Sequence, residues 1–202
     1  MKRGKLPSTL VFETERLFVR EFTSEDAPAV FAYAGDMENC AFMSWAPESY
    51  EDVCSFINHR LATQIESPRR VYDLAVCLKT SGELIGSVGL YIDNEGSQAE
   101  LGWIFNKRFW HCGYATEAAR GFMRLGFLAL DLHRIYAKCD DKNTASYRVM
   151  ERLGMRREAH FIKDIRTKVM GREEWRSTYL YAMLQKEYLM TLFDGDHEPC
   201  LS

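Results

Sequence analysis

The chain lacks any apolar stretch long enough to span a bilayer, and its first ten residues, MKRGKLPSTL, carry charge without an apolar core. Neither a membrane span nor a secretory leader is expected. There is no C-x-x-C pair: Cys40, Cys54, Cys77, Cys112, Cys139 and Cys200 are scattered. That spacing suggests neither a zinc site nor a redox couple, and reduced thiols in a cytoplasmic location fit best. A basic surplus is also missing. Lys and Arg number 26 against 29 Asp and Glu, a net charge of −3, so nucleic acid is not an expected partner. The small negative balance is compatible with a cationic acceptor such as an amine. No internal repeat or low-complexity linker divides the sequence.

What is present describes one globular domain. A length of 202 residues with 47% hydrophobic and 27% charged residues suffices for a real core. Residues 10–190 are expected to form that single domain, with 1–9 a loose N-terminus and 191–202 a flexible tail. Residues 10–21 read as a first strand, rich in β-formers. Ser24 caps a helix to about residue 34, and a second helix covers 49–65 before Pro68. Residues 71–78 alternate, with Tyr72, Leu74, Val76 and Leu78 on one face. With 83–92 and 98–105 they form an antiparallel meander through turns at Gly82 and Gly96. An amphipathic helix follows Gly113. Then come a strand near 133–139, a helix over 143–153 stopped by Gly154, and two strands near 155–163 and 174–184. Mixed order with one βαβ crossover predicts an α/β sheet with helices on both faces.

The most informative segment is Trp110-His111-Cys112-Gly113-Tyr114-Ala115-Thr116-Glu117. It joins a hydrophobic strand to an amphipathic helix through a glycine turn. Such a junction gathers unpaired amides at the positive end of a helix dipole and binds phosphates without a basic side chain. The alternative is a glycine that only lets a strand enter a helix. Glu117 suits the first turn of that helix, and Cys112 lies within the glycine turn.

Together, Glu13-Thr14-Glu15-Arg16-Leu17, the Gly113-to-Ala118 run, Asn143-x-x-Ser146, Gly154-Met155, and Trp175 with Tyr179-Leu180-Tyr181-Ala182 resemble the GNAT acyl-CoA N-acyltransferases, in the flavour of the RimJ/RimL-like branch. The resemblance covers about residues 10–188. It implies the GNAT fold: a mixed, mostly antiparallel sheet with a splayed central strand pair. It also implies acetyl-CoA or coenzyme A as co-substrate and no metal. The pantetheine arm would pair with Trp103, Ile104 and Phe105. The pyrophosphate would rest on His111, Cys112, Gly113, Tyr114, Ala115 and Thr116. Gly113 and Ala115 match the family turn, Trp110 replaces its Gln or Arg, and a side chain at His111 competes for space.

Asn143 and Ser146 share a helix face. Asn143 is either a plain helix cap or, as the resemblance implies, a pantetheine ligand as well. Many relatives place an acidic tyrosine where this chain has Met150, which has no proton to give. Ser146 is then the first candidate acid toward the leaving thiolate and Tyr147 the second. Glu100 is the candidate base, by analogy with relatives in which a glutamate here works through water. Its alternative is a rim carboxylate paired with Lys or Arg, and Asp93 is a weaker choice. His133 and His160 read as surface or packing residues. Tyr33, Trp45 and Tyr50 are candidate acceptor contacts, with core filling the stronger alternative for Tyr33. The expected activity is transfer of an acetyl group from acetyl-CoA to a primary amine, a protein N-terminal α-amine or a small molecule, by direct attack. A non-catalytic acyl-CoA-binding sensor or interaction module on the same fold is the competing reading, and a homodimer is left open.

Overall fold

The computed structural model describes residues 10–43, 46–169 and 172–194. One eight-stranded sheet runs through them in the order β1-β2-β3-β4-β5-β6-β8-β7. The strands are β1 (Val11–Glu13), β2 (Leu17–Arg20), β3 (Val71–Leu78), β4 (Leu84–Ile92), β5 (Gln98–Phe105), β6 (Arg134–Asp140), β7 (Arg156–Val169) and β8 (Arg172–Leu184). The helices are α1 (Ala27–Ala34), α2 (Tyr50–Gln64), α3 (Tyr114–Arg124), α4 (Thr144–Arg152) and α5 (Gln185–Asp194). Every neighbouring pair is antiparallel except β5 and β6, which are parallel.

Strand alternation divides the interior into two cores. Tyr72, Leu74 and Val76 of β3 join Val88, Leu90, Leu101 and the α3 side chains Ala118, Ala119, Phe122 and Met123 on one face. Ala75 and Cys77 face the other way and pack with Val30, Tyr33, Val53 and Ile57 of α1 and α2. Both faces of the central strands are therefore covered, which explains why β3 and β4 are buried almost throughout. No helix among the described residues is long and apolar enough to cross a membrane.

The strand expected over 10–21 is broken. Thr14 donates its N–H to the Leu17 carbonyl at 2.9 Å, and its hydroxyl accepts the Leu17 N–H at 3.1 Å. This side-chain turn folds β1 back on β2, pairing Val11 with Arg20. The first helix also starts differently. Thr23, not Ser24, is the cap, reciprocated by Asp26, and a 3₁₀ turn precedes α1. Ser49, expected as the first residue of the second helix, instead caps α2 through the Asp52 N–H.

α5 was not anticipated, and it runs four residues beyond the expected domain end at 190. The Glu187 carboxylate accepts the Leu184 N–H at 2.7 Å at its start, and the Tyr188 ring lies 5.0 Å from that of Phe127. The expected loose residues 1–9 and the remainder of the expected tail, 195–202, lie outside the described residues.

Candidate active site

β5 ends at Phe105, and the chain turns through a 3₁₀ segment, Lys107–Phe109, capped by the Asn106 side chain. The Trp110 indole N–H donates to the Phe105 carbonyl at 2.8 Å, tying the outgoing loop to the strand end. His111 (φ 63°) and Gly113 (φ 81°) are both left-handed. That geometry is natural for glycine and strained for histidine. Gly113 caps α3 with no side chain to offer, and the first closing bond runs from the Glu117 N–H to the Gly113 carbonyl at 3.0 Å.

The N–H groups of Tyr114, Ala115 and Thr116 consequently have no partner among the described residues. The Thr116 hydroxyl oxygen is buried and unpartnered as well. Amides, a hydroxyl and a helix dipole together make a fitting cradle for a diphosphate.

An unanticipated basic group stands beside this cradle. The Arg16 guanidinium donates to Glu117 Oε2 at 2.7 Å and to the Cys112 carbonyl at 3.0 Å, and it lies 4.6 Å from the Tyr114 ring centre. Glu117 also accepts from the Thr14 hydroxyl at 2.5 Å and the Arg16 N–H at 2.8 Å. Burial pushes the Glu117 carboxyl up, but these donors together hold it below the ordinary carboxylate range.

The gap begins where β5 and β6 stop pairing. Their register runs from Gln98↔Arg134 to Glu100↔Tyr136 and no further, although the strands continue to Phe105 and Asp140. The Asn106 N–H bonds to Ile85 in β4. By antiparallel alternation, the polar backbone groups of Ile104 face β4, while those of Trp103 and Phe105 face the gap. The Phe105 carbonyl already accepts from Trp110 and from the Asn39 side chain at 2.7 Å. Of the three expected pantetheine partners, Trp103 is thus the one with its N–H and C=O turned to the gap and uncommitted there. Ile104 is turned away, and Phe105 keeps only its N–H.

α4 begins at the open end of the gap. Asn143 caps it, its side-chain oxygen accepting the Ser146 N–H at 3.1 Å. The amide nitrogen of Asn143 donates no hydrogen bond among the described residues and is open to another partner. Ser146 stands beside Cys139 of β6. Burial raises the Cys139 thiol to about 12, an effect the Ser146 hydroxyl partly offsets. Tyr147 packs edge-on against Tyr179 at 5.8 Å and leans on the core. Met150 is fully buried.

The opposite face of β6 carries Tyr136, Lys138 and Asp140. Glu100 pairs with Lys138 at 3.7 Å and interacts with the Tyr136 hydroxyl at the closed end of the gap. This matches the paired-carboxylate alternative for Glu100. Asp93 is engaged in its own turn, accepting the Ser97 and Gln98 N–H groups. Beneath lies a buried polar group absent from the sequence reading. Asp73, 4% exposed, accepts from Arg60 at 2.6 Å and from the Tyr91 hydroxyl at 3.0 Å. Burial raises the Asp73 carboxyl, with Arg60 the main opposing influence. The Tyr91 ring lies over the cross-strand pair Gly89 and Gly102, where a Cβ at Gly89 would come 3.1 Å from it.

Tyr33 takes the stronger of its two expected roles, core filling: it is 2% exposed between α1 and α2, its hydroxyl bonded to Ser87. It cannot reach an acceptor. Tyr50 is exposed at the start of α2, edge-on to Phe31 at 5.6 Å. Trp45 lies outside the described residues. His160 does have a carboxylate neighbour, Asp141, at 3.1 Å. No metal-holding group of His, Cys, Asp and Glu occurs among the described residues.

This fold, a phosphate-suited turn and a splayed strand pair define an acyl-carrier transferase architecture. Residues 16–156 match the acetyltransferase (GNAT) domain family, and the chain belongs to it. The uncharacterized N-acetyltransferase YnaD of Bacillus subtilis is 35% identical over 175 residues, covering 87% of this chain and 97% of that protein. A GNAT-family acetyltransferase from Bacillus anthracis has a similar structure: 34% identity, TM-score 0.77, covering 88% of this chain and all of that one. RimL, a ribosomal L7/L12 α-N-protein acetyltransferase solved with coenzyme A, shares the fold at TM-score 0.74 and 16% identity, covering 87% of this chain and 98% of its own.

Proposed function

We propose that the protein transfers an acetyl group from acetyl-CoA to a primary amine by direct attack on the thioester. The observation carrying this reading is the set of unpartnered amides at Tyr114, Ala115 and Thr116, set beside a gap between two strands of one sheet. In this reading the diphosphate lies on the Gly113 turn, and the pantetheine enters the gap along Trp103, with the thioester beside Ser146. Asn143 donates its side-chain amide to the arm. The Ser146 hydroxyl, on the same helix face, donates to the departing thiolate. A hydroxyl helps there by hydrogen bonding even before its proton has moved. Tyr147, held by packing, is the weaker acid candidate.

The acceptor class we favour is an α-amine or another amine of low basicity. An α-amine is about a tenth neutral at pH 7, whereas a lysine amine is neutral about once in 2,500, a deficit of roughly 4.6 kcal/mol. With Glu100 held by Lys138 and Tyr136, much of the rate enhancement falls to positioning, which favours the less demanding amine. The RimJ/RimL-like branch is consistent with such an acceptor and with a cytoplasmic setting.

The test is titration calorimetry with acetyl-CoA, followed by thiol release in the presence of peptides and small amines. Binding with amine-dependent thiol release is expected. No binding of either acetyl-CoA or coenzyme A removes the reading.

A further inference from the structure

We infer that Asp140 is the group that receives the acceptor amine and takes its proton, resting on the transferase reading above. Asp140 ends β6 at the open mouth of the gap. Its side chain is only 6% exposed. One carboxylate oxygen, Oδ1, accepts the Lys142 N–H at 2.8 Å, which fixes the rotamer. The other, Oδ2, is buried and accepts no hydrogen bond among the described residues. Its nearest cation is Arg176, at 3.5 Å, and that guanidinium nitrogen is already directed at the Ala41 carbonyl, 2.9 Å away.

A buried carboxylate oxygen without a donor is unusual, because an unmade charged hydrogen bond costs more than a neutral one. A primary amine supplies the missing N–H. Position supports the same conclusion. Cys139 and Asp140 are consecutive on β6 and point to opposite faces of the sheet. Cys139 stands beside Ser146, on the side that serves the thiol. Asp140 faces the other side, where Arg176 stacks 5.6 Å from Phe42 and its guanidinium bonds to Glu174 at 2.6 Å. These contacts link β8 to the segment between α1 and α2 on the face of the sheet opposite Ser146. The charged groups around Asp140 are Arg176 and Glu174 on β8, Lys138 on β6, and Asp141 and Lys142 in the following turn. Glu100, by contrast, sits at the closed end, already paired.

The step balances without a further reactant. The amine nitrogen forms a bond to the acetyl carbon while one of its N–H protons passes to Asp140 Oδ2. The carbon–sulfur bond breaks, and the thiolate takes a proton from the Ser146 hydroxyl. Water then restores the Ser146 proton and removes the one on Asp140.

The experiment compares wild type, Asp140→Asn and Arg176→Met, using acetyl-CoA and a panel of N-terminal peptides, polyamines and hydroxylamine. Thiol release gives kcat, calorimetry gives acetyl-CoA affinity, and thermal melting gives stability. The expected result is a kcat loss of about 100-fold or more in Asp140→Asn. Its acetyl-CoA affinity should stay within twofold and its melting temperature should not change. Arg176→Met should lose less than tenfold in kcat. An unchanged kcat in Asp140→Asn overturns the inference and leaves the transferase intact. Equal losses in the two variants, with lowered melting temperatures, make Asp140 an anchor for Arg176 and overturn it too. A wild type that binds no acetyl-CoA, or releases no thiol with any amine, removes the transferase reading itself and this inference with it.

Discussion

Arg16 and Glu117, separated by 101 positions in the chain, are joined at a side-chain distance of 2.7 Å and again through the Arg16 N–H at 2.8 Å. The pair fastens the turn between β1 and β2 to the first turn of α3. The same guanidinium holds the Cys112 carbonyl, so the phosphate-suited turn is braced from outside by a segment distant in sequence.

Removing that brace should loosen the turn. Glu117→Gln is expected to lower stability by about 1.5–3 kcal/mol, the usual range for a charged hydrogen bond, and to weaken acetyl-CoA binding in calorimetry. Because the folded Glu117 carboxyl lies below its ordinary value, the contribution is complete above the unfolded pKa of about 4.3. It is lost as pH falls through the lower folded value. Urea melts of wild type and Glu117→Gln should therefore differ at pH 7 and converge in acid.

Gly113 tests backbone geometry apart from space. The nearest atom to a Cβ built there is the Arg16 guanidinium, at 3.4 Å, so there is room for a small side chain. The obstacle is φ of 81°. Gly113→Asn should keep most acetyl-CoA affinity, because asparagine tolerates this region. Gly113→Val should lose stability by about 1–2 kcal/mol and lose most of the affinity. Equal affinity in the two variants would place the anion site elsewhere.

At Asn143, capping and ligand binding can be separated. Asn143→Asp keeps the acceptor for the Ser146 N–H but loses the amide donor. It should preserve the melting temperature while weakening acetyl-CoA binding. Asn143→Ala should lose both, with about 1 kcal/mol of stability attributable to the cap. If Asn143→Asp binds as well as wild type, Asn143 is only a cap.

The Arg60–Asp73 pair makes a prediction about the α2-covered face of the sheet. Asp73 is almost fully buried, and Arg60 is its only cation within 4.0 Å among the described residues. Arg60→Ala leaves that charge uncompensated and should cost about 3–5 kcal/mol in denaturant unfolding. A change below 1 kcal/mol would show that Asp73 finds its stabilisation elsewhere.

The sequence made the sheet and the glycine turn before α3 legible because both follow from local rules: alternation in β3 to β5, a glycine before an amphipathic helix, and a cap at Asn143. What it hid depends on distant neighbours. The break at Thr14 looked like strand because its residues are β-formers, and only the hydroxyl contact with Leu17 reveals the turn. Arg16 could not be linked to the phosphate turn without the fold. Asp73 offered no motif at all. The α5 helix was missed because its anchor, Phe127 against Tyr188, joins residues far apart in the chain.

The central claim is that the amides of Tyr114, Ala115 and Thr116 hold the diphosphate of coenzyme A. A ¹⁵N amide titration of the whole chain with coenzyme A tests it most directly. Saturable shifts largest at these three residues and Gly113 are predicted, with the same experiment on Gly113→Val needing far more coenzyme A to reach them. Saturable shifts that leave these amides unmoved, or no response to coenzyme A in the wild type, would contradict it.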